Sequence, residues 1–155
     1  MIHTRQFLVA LLLGSVALGC GGAKKDAPKT VPVSGTVTVD GQPIGGATVT
    51  FLPTSTDRHG ATGTTDATGR YTLFVGDNRG AMPGNYKVTI QYFVKKDGTP
   101  FIVTPETDME TVQGEIKPAL PAKYSDPEKT ELTTTVPDKG TDKADFKLET
   151  GAPPA

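Results

Sequence analysis

The sequence is poor in the residues that most catalytic and metal centres need. Its 155 residues include one cysteine, two histidines (His3 and His59) and no tryptophan. A single cysteine excludes an internal disulfide framework and a cysteine-based zinc cluster, and two histidines cannot supply a multi-histidine metal centre. The sequence also has no large excess of positive or negative charge, since 16 basic and 17 acidic residues give a net charge of -1. Nucleic-acid binding, which needs a clustered basic surface, is therefore not expected.

The first 19 residues have the organisation of an export signal. His3 and Arg5 form a short basic region, and an apolar run from Phe7 to Leu18 follows it. This run is shorter than the roughly 20 apolar residues of a membrane-spanning helix, and its length is typical of a signal-peptide core. Residues 1–19 are therefore predicted to be a signal peptide.

The predicted signal peptide ends in Ala17-Leu18-Gly19-Cys20, which resembles the lipobox of bacterial lipoproteins. The resemblance implies that the Cys20 thiol receives a diacylglycerol and that the chain is cut before it. Gly21 differs from the Asp that favours inner-membrane retention, so the resemblance implies an outer-membrane lipoprotein of the cell envelope. The alternative is that Cys20 is a small buried hydrophobic residue. Residues 20–30 are small, charged and proline-broken, which predicts a flexible tether.

From residue 31 onward, apolar and polar residues alternate with a period of two. This pattern is typical of half-buried antiparallel strands, and no stretch of helical periodicity is evident. It predicts an all-β domain over residues 31–149, with many short strands in a sandwich or barrel. The residues expected to be largely buried are Val37, Val49, Phe51, Leu73, Val88, Ile90, Leu132 and Phe146.

Turn residues separate these runs. Asp40-Gly41 tolerates positive φ, Asp66 to Gly69 suits a type I turn, and Met82 to Asn85 suits a type II turn with Pro and Gly at its centre. Asp97-Gly98 predicts a further hairpin between an apolar run ending at Val94 and one beginning at Phe101. Five prolines break the pattern, so residues 95–130 are predicted to be an irregular insertion, and residues 150–155 a disordered tail.

Four stretches carry a resemblance to the carboxypeptidase regulatory-like domain, which is a transthyretin-like fold. They are Val33-Ser34-Gly35-Thr36-Val37, the run from Asp40 to Phe51, Thr65-Asp66-Ala67-Thr68-Gly69-Arg70-Tyr71, and Pro83 to Ile90. The resemblance covers about residues 31–94 and implies an antiparallel Greek-key β-sandwich of about seven strands. It implies no active site, because the matching residues are turn and core residues.

Three groups of residues deserve consideration as sites. Dispersed aspartates could ligate calcium, but calcium needs six to eight converging oxygens and each aspartate has a role in a turn; these are Asp40, Asp66, Asp77 and Asp97. Asp57-Arg58-His59-Gly60 combines imidazole, cation and carboxylate, and a solvated turn explains it better than a catalytic centre. Tyr86 is interpreted as structural, as in a tyrosine corner.

Aromatic residues near the irregular segment, namely Phe93, Phe101 and Tyr124, either cover the sandwich edge or contact a sugar or protein. The sequence thus predicts no catalytic residue, no metal site and no cofactor beyond a lipid on Cys20. The function predicted is a non-catalytic envelope lipoprotein that serves as a structural or protein-interaction module. The alternative is a module that binds carbohydrate, such as an envelope polysaccharide, or peptide.

Overall fold

The computed structural model describes residues 28–104 and 106–150, which form an all-β fold. The two helices in this part of the chain are single turns, α1 (Met109–Val112) and α2 (Ala122–Ser125). The strands are β1 (Ser34–Val39), β2 (Gln42–Pro43), β3 (Thr48–Pro53), β4 (Ala61–Thr64), β5 (Arg70–Thr72), β6 (Phe74–Val75), β7 (Asn78–Arg79), β8 (Gly84–Gln91), β9 (Phe93–Lys95), β10 (Pro100–Phe101), β11 (Ile116–Pro118), β12 (Thr133–Val136) and β13 (Phe146–Leu148).

The largest sheet has the order β12-β8-β3-β4-β6-β7, and all its pairs are antiparallel. β3 lies at its centre, with Val49 opposite Ile90 and Phe51 opposite Val88. Opposed residues point to the same face, so these apolar pairs make the inner face and the intervening threonines make the outer face. The alternation in the sequence thus sets which face of the sheet is buried.

The second sheet places β1 between β13 on one side and β5 with β2 on the other. β1 and β13 run parallel, with Val37 opposite Phe146 and Val39 opposite Leu148. The prediction that the strands pair only in the antiparallel sense is therefore wrong for this pair. The prediction of about seven strands is also too low, since the described residues contain thirteen strand segments, several of them only two or three residues long.

A small third sheet, β10-β9-β11, takes β10 and β11 from the region predicted as an irregular insertion, residues 95–130, so that region is partly regular. β9 and β10 form the hairpin predicted at Asp97-Gly98, with Phe93 opposite Phe101, and the prediction of that hairpin is confirmed. β11 pairs with β9 on its other side. No helix among the described residues is long and apolar enough to span a membrane.

The two larger sheets pack face to face around one apolar core. The Phe51 ring of the large sheet lies edge-on to Phe146 of the second sheet, with 6.1 Å between ring centroids. Seven of the eight residues predicted to be buried are in this core. Leu132 is the exception: it is only half-buried, because it precedes the edge strand β12 and packs against the core from outside.

Two of the predicted turns have the expected geometry. Asp40 and Gly41 both have positive φ, of 49° and 81°, and they join β1 to β2. The Gly69 amide donates to the Asp66 carbonyl at 2.9 Å, which closes the predicted four-residue turn. The type II turn predicted at Met82 to Asn85 is wrong: Gly84 has a φ of 143° and begins β8, so the segment enters the strand directly.

Candidate functional site

The predicted lipid-attachment residue, Cys20, lies outside the residues that the structure describes, as do the predicted signal peptide and most of the predicted tether. Thr150, the first residue of the predicted tail, is described. Its backbone amide donates to Asp40 Oδ1 at 3.1 Å, and its hydroxyl donates to the same carboxylate. Asp40 therefore contacts the C-terminal end of the described chain in addition to forming its turn.

Three of the four aspartates considered as calcium ligands, Asp40, Asp66 and Asp97, accept hydrogen bonds from the protein itself. Asp66 Oδ1 accepts hydrogen bonds from the Thr68 amide at 2.8 Å, the Thr68 hydroxyl at 2.7 Å and the Arg70 amide at 3.1 Å. Asp97 Oδ1 accepts in the same way from the amide and hydroxyl of Thr99. Within the described ranges, no three or more His, Cys, Asp or Glu side chains form a group that could hold a metal ion.

These hydrogen bonds also set the charge state of the turns. The Thr68 hydroxyl, followed by the amides of Thr68 and Arg70, lowers the pKa of Asp66, because each bond favours the ionised carboxylate. The Thr99 hydroxyl lowers the pKa of Asp97 for the same reason. Both residues act as charged turn caps, with donors two residues along the chain and, for Asp66, a further donor at the Arg70 amide.

The Asp57-Arg58-His59 loop does not assemble into a catalytic cluster. Asp57 and His59 are exposed, and a hydrogen bond from Ser55 is the main cause that lowers the pKa of Asp57. The Arg58 guanidinium lies directly over Gly84, in space that any side chain at that position would fill. Arg58 therefore packs on the start of β8 and holds the loop against the large sheet.

Two buried tyrosines use their hydroxyls to bind backbone carbonyls. Tyr86 donates to the carbonyl of Met82, four residues upstream, at 2.8 Å, which is the geometry expected of a tyrosine corner. Tyr71 donates to the carbonyl of Ala144 at 2.6 Å, and burial raises its pKa. The structural interpretation of Tyr86 is confirmed by this contact.

The three aromatic residues near residues 95–130 do not form one site. Phe93 and Phe101 are cross-strand partners in the small sheet, and both are half-buried. Tyr124 lies elsewhere, at α2, where its hydroxyl donates to the Glu149 carbonyl and accepts from the Glu149 amide. Tyr124 packs against the core and so covers an end of the sandwich.

The outer face of the large sheet carries a regular set of hydroxyl groups, which we call the threonine face. The strand register places a row across it, in which Thr89, Thr50, Thr62, Phe74 and Arg79 lie on neighbouring strands. Thr89 is buried at the β8 end of this row, Thr50 is half-buried, and the other three side chains are exposed. Neighbouring strands are about 4.8 Å apart, so this row presents a closely spaced series of side chains. Further threonines of the same face are Thr48, Thr64, Thr133 and Thr135.

An open groove of about 550 Å³ lies beside this face, and we call it the Phe74 groove. Its lining combines hydroxyls, an arginine, a carboxylate and an aromatic ring: Thr62, Thr64, Asp66, Arg70, Thr72 and Phe74. It follows the seam where the chain passes from β5 in one sheet to β6 in the other. A side chain at Gly63 would collide with the Thr72 carbonyl, so the glycine permits this close approach.

Sequence reasoning did not identify the Phe74 groove. In the alternating pattern, Phe74 stands between the apolar Leu73 and Val75, at a position where a polar, outward-facing residue is expected. An aromatic residue at such a position was the signal in the sequence that could have indicated the groove. In the structure Phe74 is the most exposed aromatic side chain among the described residues, at 42%. Large aromatic residues at outward positions are informative because burial would have stabilised them.

No protein-family model, curated protein or solved structure gives a significant match to this chain. The geometry described above therefore stands as the basis for any functional conclusion.

Proposed function

We propose that this protein is a non-catalytic lipoprotein of the cell envelope, anchored to the outer membrane by lipid on Cys20. Its sandwich, with a Greek-key, transthyretin-like arrangement, serves as a structural or protein-interaction module. The carboxypeptidase regulatory-like resemblance belongs to the same proposal. A carbohydrate- or peptide-binding module remains the second candidate, and the exposed Phe74 favours it.

The observation that carries the proposal is the use of the reactive side chains in holding the fold together. Asp66 and Asp97 cap turns, while Tyr71 and Tyr86 bind backbone carbonyls. Catalysis needs a nucleophile or acid–base group that is oriented toward a substrate. Side chains that already hydrogen-bond to the protein's own backbone are better suited to keeping the fold rigid than to catalysis.

The anchor is supported by the sequence around Cys20. A signal-peptide core ends at a small residue before this cysteine, and a short polar tether separates it from β1. A single acyl chain binds membranes reversibly, whereas two or more chains hold a protein stably. A diacylglycerol on the thiol supplies two chains, so the anchor needs no transmembrane helix.

The proposal is tested by producing the full chain in a bacterium with two membranes and measuring the intact mass of the membrane-extracted protein. We expect a chain that begins at Cys20 and carries acyl mass, and Cys20→Ser should abolish both the processing and the membrane association. Ser15→Ala, within the signal-peptide core, serves as the matched control and should be processed normally. A soluble product that is cut elsewhere and is insensitive to Cys20→Ser would contradict the anchor.

A further inference from the structure

We propose that the Phe74 groove binds the pyranose ring of a glycan. A pyranose has an apolar face of C–H groups and a rim of hydroxyls. The groove offers one aromatic ring with hydroxyl and guanidinium groups around it. This inference goes beyond the proposed anchored module, because it assigns the module a ligand class and a set of contact residues.

Phe74 supplies the apolar platform. Its cross-strand neighbours are Thr62 on β4 and Arg79 on β7, so polar groups lie on both sides of the ring. Side chains at opposed strand positions are about 5 Å apart at Cβ, within reach of one sugar unit. Aromatic rings provide large contact area at low entropic cost, which makes an exposed one effective for recognition.

The polar groups of the groove can satisfy the sugar hydroxyls. Thr62, Thr64 and Thr72 each carry a hydroxyl that both donates and accepts, and Arg70 carries a planar set of donors. Small-ligand sites typically combine an apolar contact with a few such polar groups that fix orientation. The groove has this combination where β4 and β5 approach each other, with Gly63 next to the Thr72 carbonyl.

The site is held in place before a ligand arrives. The Arg70 amide donates to Asp66 Oδ1, and the Asp66 amide donates to the Arg70 carbonyl at 2.8 Å. Gly69 closes the same turn, so the start of β5 is tied down at several points. A preorganised surface loses little conformational entropy on binding, which favours affinity for a small ligand.

The strand pairing favours a glycan over a peptide at this site. An extended peptide binds a sheet by adding a strand to a free edge through its backbone. β4 is paired on both sides, with β3 and with β6, and β6 is paired with β7. β5 is paired with β1, and the amide and carbonyl of its Arg70 are bound to Asp66. The side chains of Thr62 and Phe74 are therefore accessible to a ligand, whereas the backbone of their two strands is already paired within the sheet.

The experiment uses the isotope-labelled full chain in detergent and three probes: short oligosaccharides of glucose, of N-acetylglucosamine and of galacturonic acid. We expect at least one to shift the NMR signals of Thr62, Thr72 and the Phe74 ring, with saturation at millimolar concentration or below. Phe74→Leu, which keeps an apolar side chain without the ring, should weaken binding at least tenfold. Phe74→Tyr should retain it, because the ring is preserved.

Ile102→Ala is the matched control, since Ile102 is an exposed apolar residue outside the groove, at 54%. It should bind like the wild type. Thr62→Val preserves shape and removes one hydroxyl, so weaker binding by this variant supports the proposal even if Phe74→Leu fails to fold. Absence of binding for all three probes overturns the proposal, and so does binding that both Phe74→Leu and Thr62→Val retain in full.

Discussion

Phe51 lies at the centre of the core, where it contacts aromatic rings from both sheets. Its side chain is fully buried, with Tyr86 at 5.6 Å and Phe146 at 6.1 Å between ring centroids. Phe51→Ala should therefore reduce the free energy of unfolding by about 3–5 kcal/mol, because it removes apolar burial and leaves a cavity. Urea unfolding followed by circular dichroism measures this loss.

Leu132→Ala provides the comparison at the edge of the same core. Leu132 is half-buried, so its truncation should cost clearly less than that of Phe51. Equal losses for both variants would contradict the placement of the core between the two sheets.

Asp66 makes the stability of the fold depend on pH. Its folded-state pKa lies below the unfolded value of 3.8, so the carboxylate contributes stability above about pH 4 that is lost as pH falls through the folded-state pKa. Asp66→Asn keeps an acceptor oxygen and removes the charge. We expect the wild type to be more stable than this variant near neutral pH and the difference to shrink on acidification, measured by urea unfolding across the range.

Asp138→Asn is the control for this series. Asp138 is an exposed carboxylate, and its side chain does not cap a turn as that of Asp66 does. A wild-type advantage over Asp66→Asn that stays constant from neutral to acidic pH would show that the charge of Asp66 does not stabilise its turn.

At the scale of the elements, β1, β5 and the segment before β13 meet at one glycine. Gly35 lies opposite Tyr71, and a side chain on it would collide with the Ala144 carbonyl. That carbonyl accepts the Tyr71 hydroxyl, and the Ala144 amide donates to the Ser34 carbonyl at 3.1 Å. The missing side chain thus lets three segments that are far apart in sequence share hydrogen bonds.

Gly35→Ala should destabilise the protein by more than about 2 kcal/mol, because the methyl group must displace a backbone carbonyl that a buried tyrosine uses. Thermal unfolding of the full chain measures the effect. Gly114→Ala is the matched control: its added methyl meets no atom within 4 Å and should leave the midpoint nearly unchanged. Similar midpoints for the two variants would be inconsistent with the close approach of β1 to Ala144.

At the scale of the whole molecule, we expect folding to need no metal ion. Binding of a metal to the folded state alone would raise stability by mass action. Because the Asp66 and Asp97 carboxylates are bound to their own turns, EDTA or millimolar calcium should leave the thermal midpoint of the full chain unchanged. Sodium chloride at matched ionic strength controls for screening. A rise of several degrees with calcium would indicate a site and point first to Asp40, Asp66 and Asp77.

The burial of the sheet interiors was predictable because it depends on neighbours along the chain. Val49 and Phe51 alternate with threonines, and a strand sends alternate residues to opposite faces. The same holds for Asp40-Gly41, whose turn needs only residues that adopt positive φ. The Phe74 groove was not predictable in this way, because Phe74 and Arg70 become its walls only when the chain changes sheets between them.

What the sequence alone determined is therefore the local pattern: an all-β chain, its buried positions and most of its turns. These depend on the φ preference of single residues and on the alternation of side chains along a strand. The tertiary structure decided the parallel pairing of β1 with β13, the bond from Tyr71 to Ala144 and the exposure of Phe74. Each of these joins residues that are distant along the chain, or depends on which strand lies beside another, and local preferences carry no information about such pairings.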